Sequence, residues 1–461
     1  MKALRDPDRL LADGLAAIRA QYRVPPAFPP EVQAAAQEAA RRAPSAHADW
    51  TGRPFVTLDP AGATDLDQAF AIEPAGVDYL LHYAIADVAW FVDDDGPLDR
   101  EAWARGVTTY LPDGKAGLYP PVLAEGAASL LPDGPRAAVV FTTRIAPDGG
   151  AVLAGVQRAV IRSRAKLAYE TVADDDLPPG FVEIARRIAA AEDHRGAARV
   201  DPPEQEVERD AQGRFELRFR PLLPSEKRNA ALSLATNMAV ADLLQANRTG
   251  LFRVMAAPEP RAEARLRLTA KAFGMDWPAA APLAQFEKTL DPLDPRHGAF
   301  MLAVRRAGQG ASYVPWRAGQ TPWHAAMAAT YAHATAPLRR LADRYVVRAA
   351  LAVASGQEVP EAVRAAFERL PAVMDKAEAR SGQIERAAID LAETAILAHR
   401  TGEEFDAVVT DLGETGARIQ LCDLPVVARV AANGTIPGAA VRVRLESADP
   451  ARRTLAFKHT A

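Results

Sequence analysis

Apolar positions along this chain change their spacing three times. Leu10, Leu11, Leu15 and Ile18 recur at helical intervals, and the Pro-rich stretch from Pro25 to Pro30 separates them from a second predicted helix, Glu31 to Arg42. From residue 48 to 165 the pattern turns to short apolar runs that read as strands. These are Phe55 to Leu58, Tyr79 to Ile85 within Val77 to Val92, and Ala137 to Ile145. Asp93-Asp94-Asp95-Gly96 reads as a solvated turn before a helix around Leu98 to Arg105, and Pro120-Pro121 marks a loop. From residue 166 to 400 the period is helical, with helices over Phe181 to Glu192 and Lys227 to Ala246. Asp174 to Gly180 is a loop, and Pro278 to Pro295 is a long Pro-rich connection, the best placed for a mobile loop. Thr335 is the expected N-cap of a further helix, with Pro337 in its first turn.

The last stretch, 401–461, holds five predicted short strands: Phe405 to Thr410, Ala417 to Cys422, Val426 to Val430, Ala440 to Leu445 and Thr454 to Phe457. With Gly and Asp turns between them, they suit a small OB-fold barrel. No internal repeat is evident. The expected class is α+β, with a helical N-terminal region (1–47) that is either a helix-turn-helix or a plain packing arm, a central domain (48–400) and a barrel (401–461).

Composition adds bounds. A chain of 461 residues, 49% hydrophobic and 25% charged, has material for a large core and about three domains. No apolar run approaches the ~18 residues of a membrane span, and Met1 to Tyr22 lacks a signal-peptide core. A single cysteine, Cys422, excludes an internal disulfide and a cysteine zinc cluster, and the expected compartment is the cytoplasm. The net charge of -4 argues against nucleic acid spread over the whole exterior, though not against a basic internal groove.

Two groups of residues carry candidate chemistry. Asp59 ends a predicted strand, a loop breaks at Pro60 and Gly62, and Asp65 and Asp67 follow two residues apart, on one face if the backbone is extended. Crowded carboxylate oxygens suit Mg²⁺, held by one or two carboxylates together with water and substrate phosphate. Aspartate is also common in turns, so the spacing alone leaves both readings open. After Ala336, Arg340, Arg344 and Arg348 recur every four residues beside Arg339, a pattern that suits phosphate binding or an ion-pair ladder with Asp343.

The order of motifs resembles the ribonuclease II (RNB) family of exoribonucleases over about residues 48 to 400. The matching runs are Phe55-Val56-Thr57-Leu58-Asp59, Asp65-Leu66-Asp67 and Leu81 to Val88, followed by Tyr110-Leu111-Pro112 and Ala165 to Tyr169. Tyr331 to Arg340 and Ile384-Glu385-Arg386 complete the set. The resemblance implies a mixed sheet surrounded by helices, with a C-terminal RNA-binding barrel. It implies a bacterial hydrolytic 3′→5′ exoribonuclease that degrades single-stranded RNA to nucleoside 5′-monophosphates, acting as a monomer away from membranes. Asp59, Asp65 and Asp67 would hold Mg²⁺ or Mn²⁺, with Gln68 beside them, and Arg339 would meet the scissile phosphate. Tyr169 would stack on a base near the RNA 3′ end, and Glu385 would lie near the active centre. His333 is either an RNA contact or a structural hydrogen-bond partner. Arg340, Arg344 and Arg348 extend the candidate RNA surface.

The chain departs from the family in three places. Gln68 stands where a fourth aspartate is usual, and an amide supplies no charge. Val200 stands near the family's second stacking aromatic. The first 47 residues are too short for the two cold-shock folds of many members, so the channel entrance is expected to be built differently. Two other functions stay open: a catalytically impaired RNA-binding protein of the same fold, and a metal-dependent phosphohydrolase on another substrate. Asp67 beside Gln68 disfavours the first, and the OB-like barrel disfavours small substrates.

Overall fold

A computed structural model describes residues 10–197, 204–209, 215–220, 222–291, 294–308, 310–413, 416–432 and 434–460. Two helices, α1 (Leu10–Gln21) and α2 (Pro30–Ala39), lead into strands β1 (Ala48–Asp49), β2 (Phe55–Asp59), β3 (Gln68–Ala75) and β4 (Asp78–Ala86). The short α3 (Val88–Phe91), α4 (Pro97–Arg105) and a hairpin of β5 (Thr109–Leu111) and β6 (Gly114–Ala116) follow. Strands β7 (Arg136–Ile145), β8 (Ala151–Ile161) and β9 (Ser163–Ala168) complete a seven-stranded sheet in the order β1-β8-β7-β4-β3-β2-β9. Its pairs are antiparallel except β1 with β8 and β2 with β9. The central strands are covered on both faces, so β4 and β7 bury near-continuous apolar runs, Leu81 with Tyr83 to Ile85 and Ala137 to Phe141.

The next region alternates helices with small sheets. It runs α5 (Phe181–His194), the hairpin β10 (Glu204–Arg209) and β11 (Phe215–Arg220), and α6 (Pro224–Ala246). Then come β12 (Leu251–Met255), α7 (Pro260–Ala272), α8 (Leu283–Glu287), α9 (Pro295–Ala307) and β13 (Ala311–Pro315). The two-residue strands β14 (Trp323–His324) and β15 (Ala329–Thr330) precede α10 (Leu341–Ala354) and the long α11 (Glu361–Leu397). Buried residues of α6, α10 and the first half of α11 join the sheet in one core.

The N-terminal helices sit on different partners. Leu11, Leu15 and Ile18 of α1 meet Ile384 and Leu391 of α11, whereas Val32, Ala36 and Ala39 of α2 enter the main core. They therefore do not pack on each other as a two-helix unit. The C-terminal strands β16 (Glu404–Gly413), β17 (Gly416–Leu421), β18 (Val427–Val430), β19 (Ala440–Asp449) and β20 (Thr454–His459) are antiparallel in the order β18-β17-β16-β19-β20. Contacts between β18 and β20 nearly close the expected barrel, which has its own core around Val409, Ile419 and Val443.

Three expectations are corrected. The helix expected to be capped by Thr335 begins only at Leu341, because side chains claim the backbone N–H groups of Ala334, Ala336 and Leu338. The Pro278–Pro295 connection carries α8, whose Phe286 stacks on Trp277 at 5.0 Å. The arginines of α10 are not a phosphate-facing ladder. Arg344 is 2% exposed and ion-paired with Asp99, and Arg348 pairs with Asp94 of the solvent-exposed turn before α4.

Arg344 makes a direct stability test. Truncating one partner of a buried pair strands the other charge, so Arg344→Ala is expected to cost about 3–5 kcal/mol. A denaturant titration checks this, and a midpoint unchanged from wild type would contradict it.

Candidate active site

The acidic loop leaves β2 at Asp59 and turns at once, with Ala63 N–H donating to Pro60 O at 2.9 Å. It returns to β3 pinned on both sides of Leu66. Leu66 N–H donates to Ser129 Oγ at 2.9 Å, and Leu130 N–H donates to Leu66 O at 2.9 Å. With Leu66 fully buried, Asp65 and Asp67 flank it. Lys166 Nζ donates to Ala61 O at 2.8 Å, which ties the turn to β9.

A second loop, residues 332–340, comes from the far end of the domain. Ala334 N–H donates to Asn237 Oδ1 at 2.9 Å, Ala336 N–H to Asp343 Oδ2 at 2.7 Å, and Leu338 N–H to Asp67 Oδ1 at 2.7 Å. Leu338 is followed by Arg339, whose Nε lies 3.5 Å from Asp67 Oδ2 while its side chain stays 45% exposed. The segment after α4 braces this loop, since Thr108 N–H donates to Arg339 O at 3.0 Å and Leu341 N–H to Gly106 O at 3.0 Å. Gly106 is required there. Its φ is +75°, and an added Cβ would stand 2.6 Å from Ala377 Cβ.

The two loops meet in a site short of positive charge. Burial pushes the Asp67 carboxyl up to about 8, against the pull of Arg339 and the Leu338 N–H. Burial also pushes Asp59 up to about 6, with Arg339 opposing and Asp65 adding repulsion. Asp59 Oδ2 is buried with no hydrogen-bond partner. An orphaned oxygen on Asp59 and a buried carboxyl on Asp67, each under the pull of the Arg339 charge, suit a hard cation that keeps water and substrate oxygens. Asp65 is already engaged, by Lys115 Nζ at 2.8 Å and the Tyr110 hydroxyl at 3.3 Å. Among the described residues no three His, Cys, Asp or Glu side chains converge as a ready metal cage. Gln68 Oε1 accepts the Tyr83 hydroxyl, so that oxygen is taken.

The other candidate residues divide between the site and its support. Tyr169 stands near Asp59, its hydroxyl accepting from Asn229 Nδ2 at 2.8 Å and its pKa raised by burial and the Asp59 charge. Tyr110 is 50% exposed at the same site. His333 is half-buried against Tyr313, whose hydroxyl lies 2.8 Å from Nδ1, and desolvation holds its pKa well below the usual value. Arg340 is held by Asp343 through two nitrogens, at 2.9 and 2.8 Å. Glu385 is exposed on α11, next to Ile384, which packs with Leu111 and Ala116 of the β5–β6 hairpin. Val200 lies outside the described residues.

Sequence reasoning did not single out Lys115, Asn229, Asn237 or the role of Asp343. Tyr110 was visible in a motif but was given no role. An isolated Lys in a short hairpin strand carries no local signal of its partner.

Residues 47–356 match the family model of the RNB domain, and residues 403–460 match that of the RNase II-type exonuclease C-terminal S1 domain. Ribonuclease R of Aquifex aeolicus is 28% identical over 434 residues, 87% of this chain and 60% of that protein. Across the leading curated relatives the chain spans 52–60% of their length. The apo form of Mycoplasma genitalium RNase R superposes with a TM-score of 0.86 at 19% identity, over 100% of this chain and 79% of that one. Yeast Ssd1, described as a pseudonuclease, superposes with a TM-score of 0.67 at 18% identity, over 95% of this chain and 57% of that one. At these identities the structural likeness is one of fold.

The raised carboxyls give a pH signature. Folded Asp59 and Asp67 keep their protons to about 6 and about 8, whereas unfolded aspartates release theirs near ~4. The folded state therefore binds more protons across this window, and stability falls as pH rises through it. In EDTA, the melting temperature should drop from pH 5.5 to 8.5, and Asp67→Asn should flatten that slope. A wild-type slope of zero or of opposite sign would refute the charge deficit.

Proposed function

This chain belongs to the RNB family, and we propose that it is a hydrolytic 3′→5′ exoribonuclease that degrades single-stranded RNA to nucleoside 5′-monophosphates with Mg²⁺ or Mn²⁺. The observation that carries the reading is the meeting of Asp67 and Arg339 through the Leu338 N–H. It sets a buried carboxylate short of positive charge beside an exposed guanidinium whose charge also reaches Asp59, a combination that suits phosphodiester hydrolysis.

Asp59 and Asp67 would hold the ion, which when bound would activate water and offset charge on the phosphate. Arg339 donates to non-bridging phosphate oxygens, and its fork strengthens as their charge grows. The peptide of Leu338 and the brace from Thr108 fix where that fork starts. Tyr169 offers a ring for the terminal base, held in place by Asn229, and such stacking is worth ~1–3 kcal/mol per base. The barrel adds a second RNA surface of a kind that commonly binds oligonucleotides. Glu385, exposed on α11, would orient groups near the active centre, as the family resemblance implies. The reading includes action as a monomer in the cytoplasm, a compartment that suits the lone Cys422.

One observation favours the impaired-binder reading. Gln68 supplies no charge, and its Oε1 is capped by Tyr83. A single assay separates the two. With 5′-labelled single-stranded RNA and Mg²⁺, products should shorten stepwise from the 3′ end, with nucleoside 5′-monophosphate released. Asp67→Asn keeps an acceptor for Leu338 and should abolish turnover while RNA binding persists. Arg339→Ala should lower turnover by about 10²–10³-fold. RNA that is bound but uncut by the wild type would establish the binder, and near-normal turnover in Asp67→Asn would remove Asp67 from catalysis.

A further inference from the structure

Asp65 differs from its two neighbours in what it already holds. Asp59 keeps a buried, unpartnered Oδ2. Asp67 has one oxygen on the Leu338 N–H and the other 3.5 Å from Arg339. Asp65 has partners on both oxygens, the Lys115 ammonium 2.8 Å from Oδ1 and the Tyr110 hydroxyl 3.3 Å from Oδ2. Lys115 is clamped from the other side as well. Its Nζ lies 3.2 Å from Glu125 Oε1, and Glu125 Oε2 accepts the Thr64 hydroxyl at 2.8 Å. Thr64 belongs to the acidic loop, so the ammonium is locked between that loop and the turn Leu123–Ala127, with its side chain 24% exposed.

We infer that Lys115 takes the place of a second metal ion: the site binds one divalent cation, at Asp59 and Asp67, and the Lys115 ammonium neutralises Asp65. Only the part about catalysis rests on the exoribonuclease reading; the count of ions stands on the arrangement of charges. An ammonium is a compact, strongly hydrated point charge, the side chain nearest in kind to a small cation. The four acids Asp59, Asp65, Asp67 and Glu125 here meet one divalent ion, the Lys115 ammonium and the Arg339 guanidinium, which balance them before substrate arrives. A second divalent ion would have to expel Lys115 from between two acids or sit against its charge. The neighbouring position offers no compensation, because Gln68 is neutral and its Oε1 is held by Tyr83. The neutral residue at 68 and the cation at 115 thus act in the same direction, each lowering the demand for a second ion. Lys115 is a positioning residue in this scheme. It holds Asp65 against the hairpin and leaves Arg339 free for the phosphate.

The test counts ions, without RNA. Mn²⁺ is titrated into the protein and followed by electron paramagnetic resonance and calorimetry. Wild type should hold one ion per chain. Lys115→Met, which frees both the charge and an oxygen of Asp65, should hold two or bind the first at least threefold more tightly. Lys115→Arg keeps the positive charge and should stay at one, which preserves the test if the Met variant fails to fold by circular dichroism. Asp65→Asn should also stay at one. Two ions in wild type, no ion in wild type, or a folded Lys115→Met that matches wild type in count and affinity would each overturn the inference. A protein that holds one ion but cuts no RNA would sink the exoribonuclease reading and leave this one standing.

Discussion

The hydrogen bond from Leu338 N–H to Asp67 Oδ1, 2.7 Å long and spanning 271 residues of sequence, is the constraint on which the site depends. A buried carboxylate in low dielectric demands donors, and an irregular loop must place its N–H groups on acceptors. Asp67 and the 332–340 loop answer each other's need. Because Arg339 is the next residue, the bond also fixes where a guanidinium enters the acidic site. Asn237 and Asp343 do the same for Ala334 and Ala336, so three side chains from separate parts of the chain shape one loop. Yet Asp67 remains short of positive charge. One N–H and one guanidinium at 3.5 Å do not offset its burial, which is why the arrangement suits a divalent ion.

The sorting of arginines follows the same electrostatics. Arg340, Arg344 and Arg348 each find a carboxylate, in Asp343, Asp99 and Asp94 respectively. Their charges are spent inside the fold. Arg339, with no dedicated acid of its own beyond the edge of Asp67, keeps its side chain half exposed. A chain of net charge -4 can thus present positive potential at one point while these three neighbouring arginines are held by acids.

Much of this was legible in the sequence because much of it is local. The apolar runs of β4 and β7 mark a sheet buried on both faces, and the spacing of Leu11, Leu15 and Ile18 marks the buried stripe of α1. The Asp59–Asp67 loop stood out by its breakers and acids, and the order of motifs named the family. What stayed hidden depends on partners distant in sequence. Arg344 and Arg348 have helical spacing, and nothing near them announces Asp99, 245 residues away, or Asp94, 254 residues away. The true start of α10 was missed because Pro337 fits a first turn locally, while the acceptors that hold residues 334–338 out of the helix come from α6, from Asp343 and from the acidic loop. The β10–β11 hairpin was missed for another reason, since Glu204–Arg209 is mostly charged and lacks an apolar run.

The claim that Asp67 both joins the loops and holds the ion is open to direct observation. Crystals of the protein soaked in Mn²⁺ and measured near the manganese absorption edge would show where the ion sits. The account predicts an anomalous peak in coordination distance of Asp59 Oδ2 and of an Asp67 oxygen, with Leu338 N–H still bonded to Asp67 and Lys115 still on Asp65. A peak on Asp65 with Lys115 displaced, or none near Asp67, would contradict it.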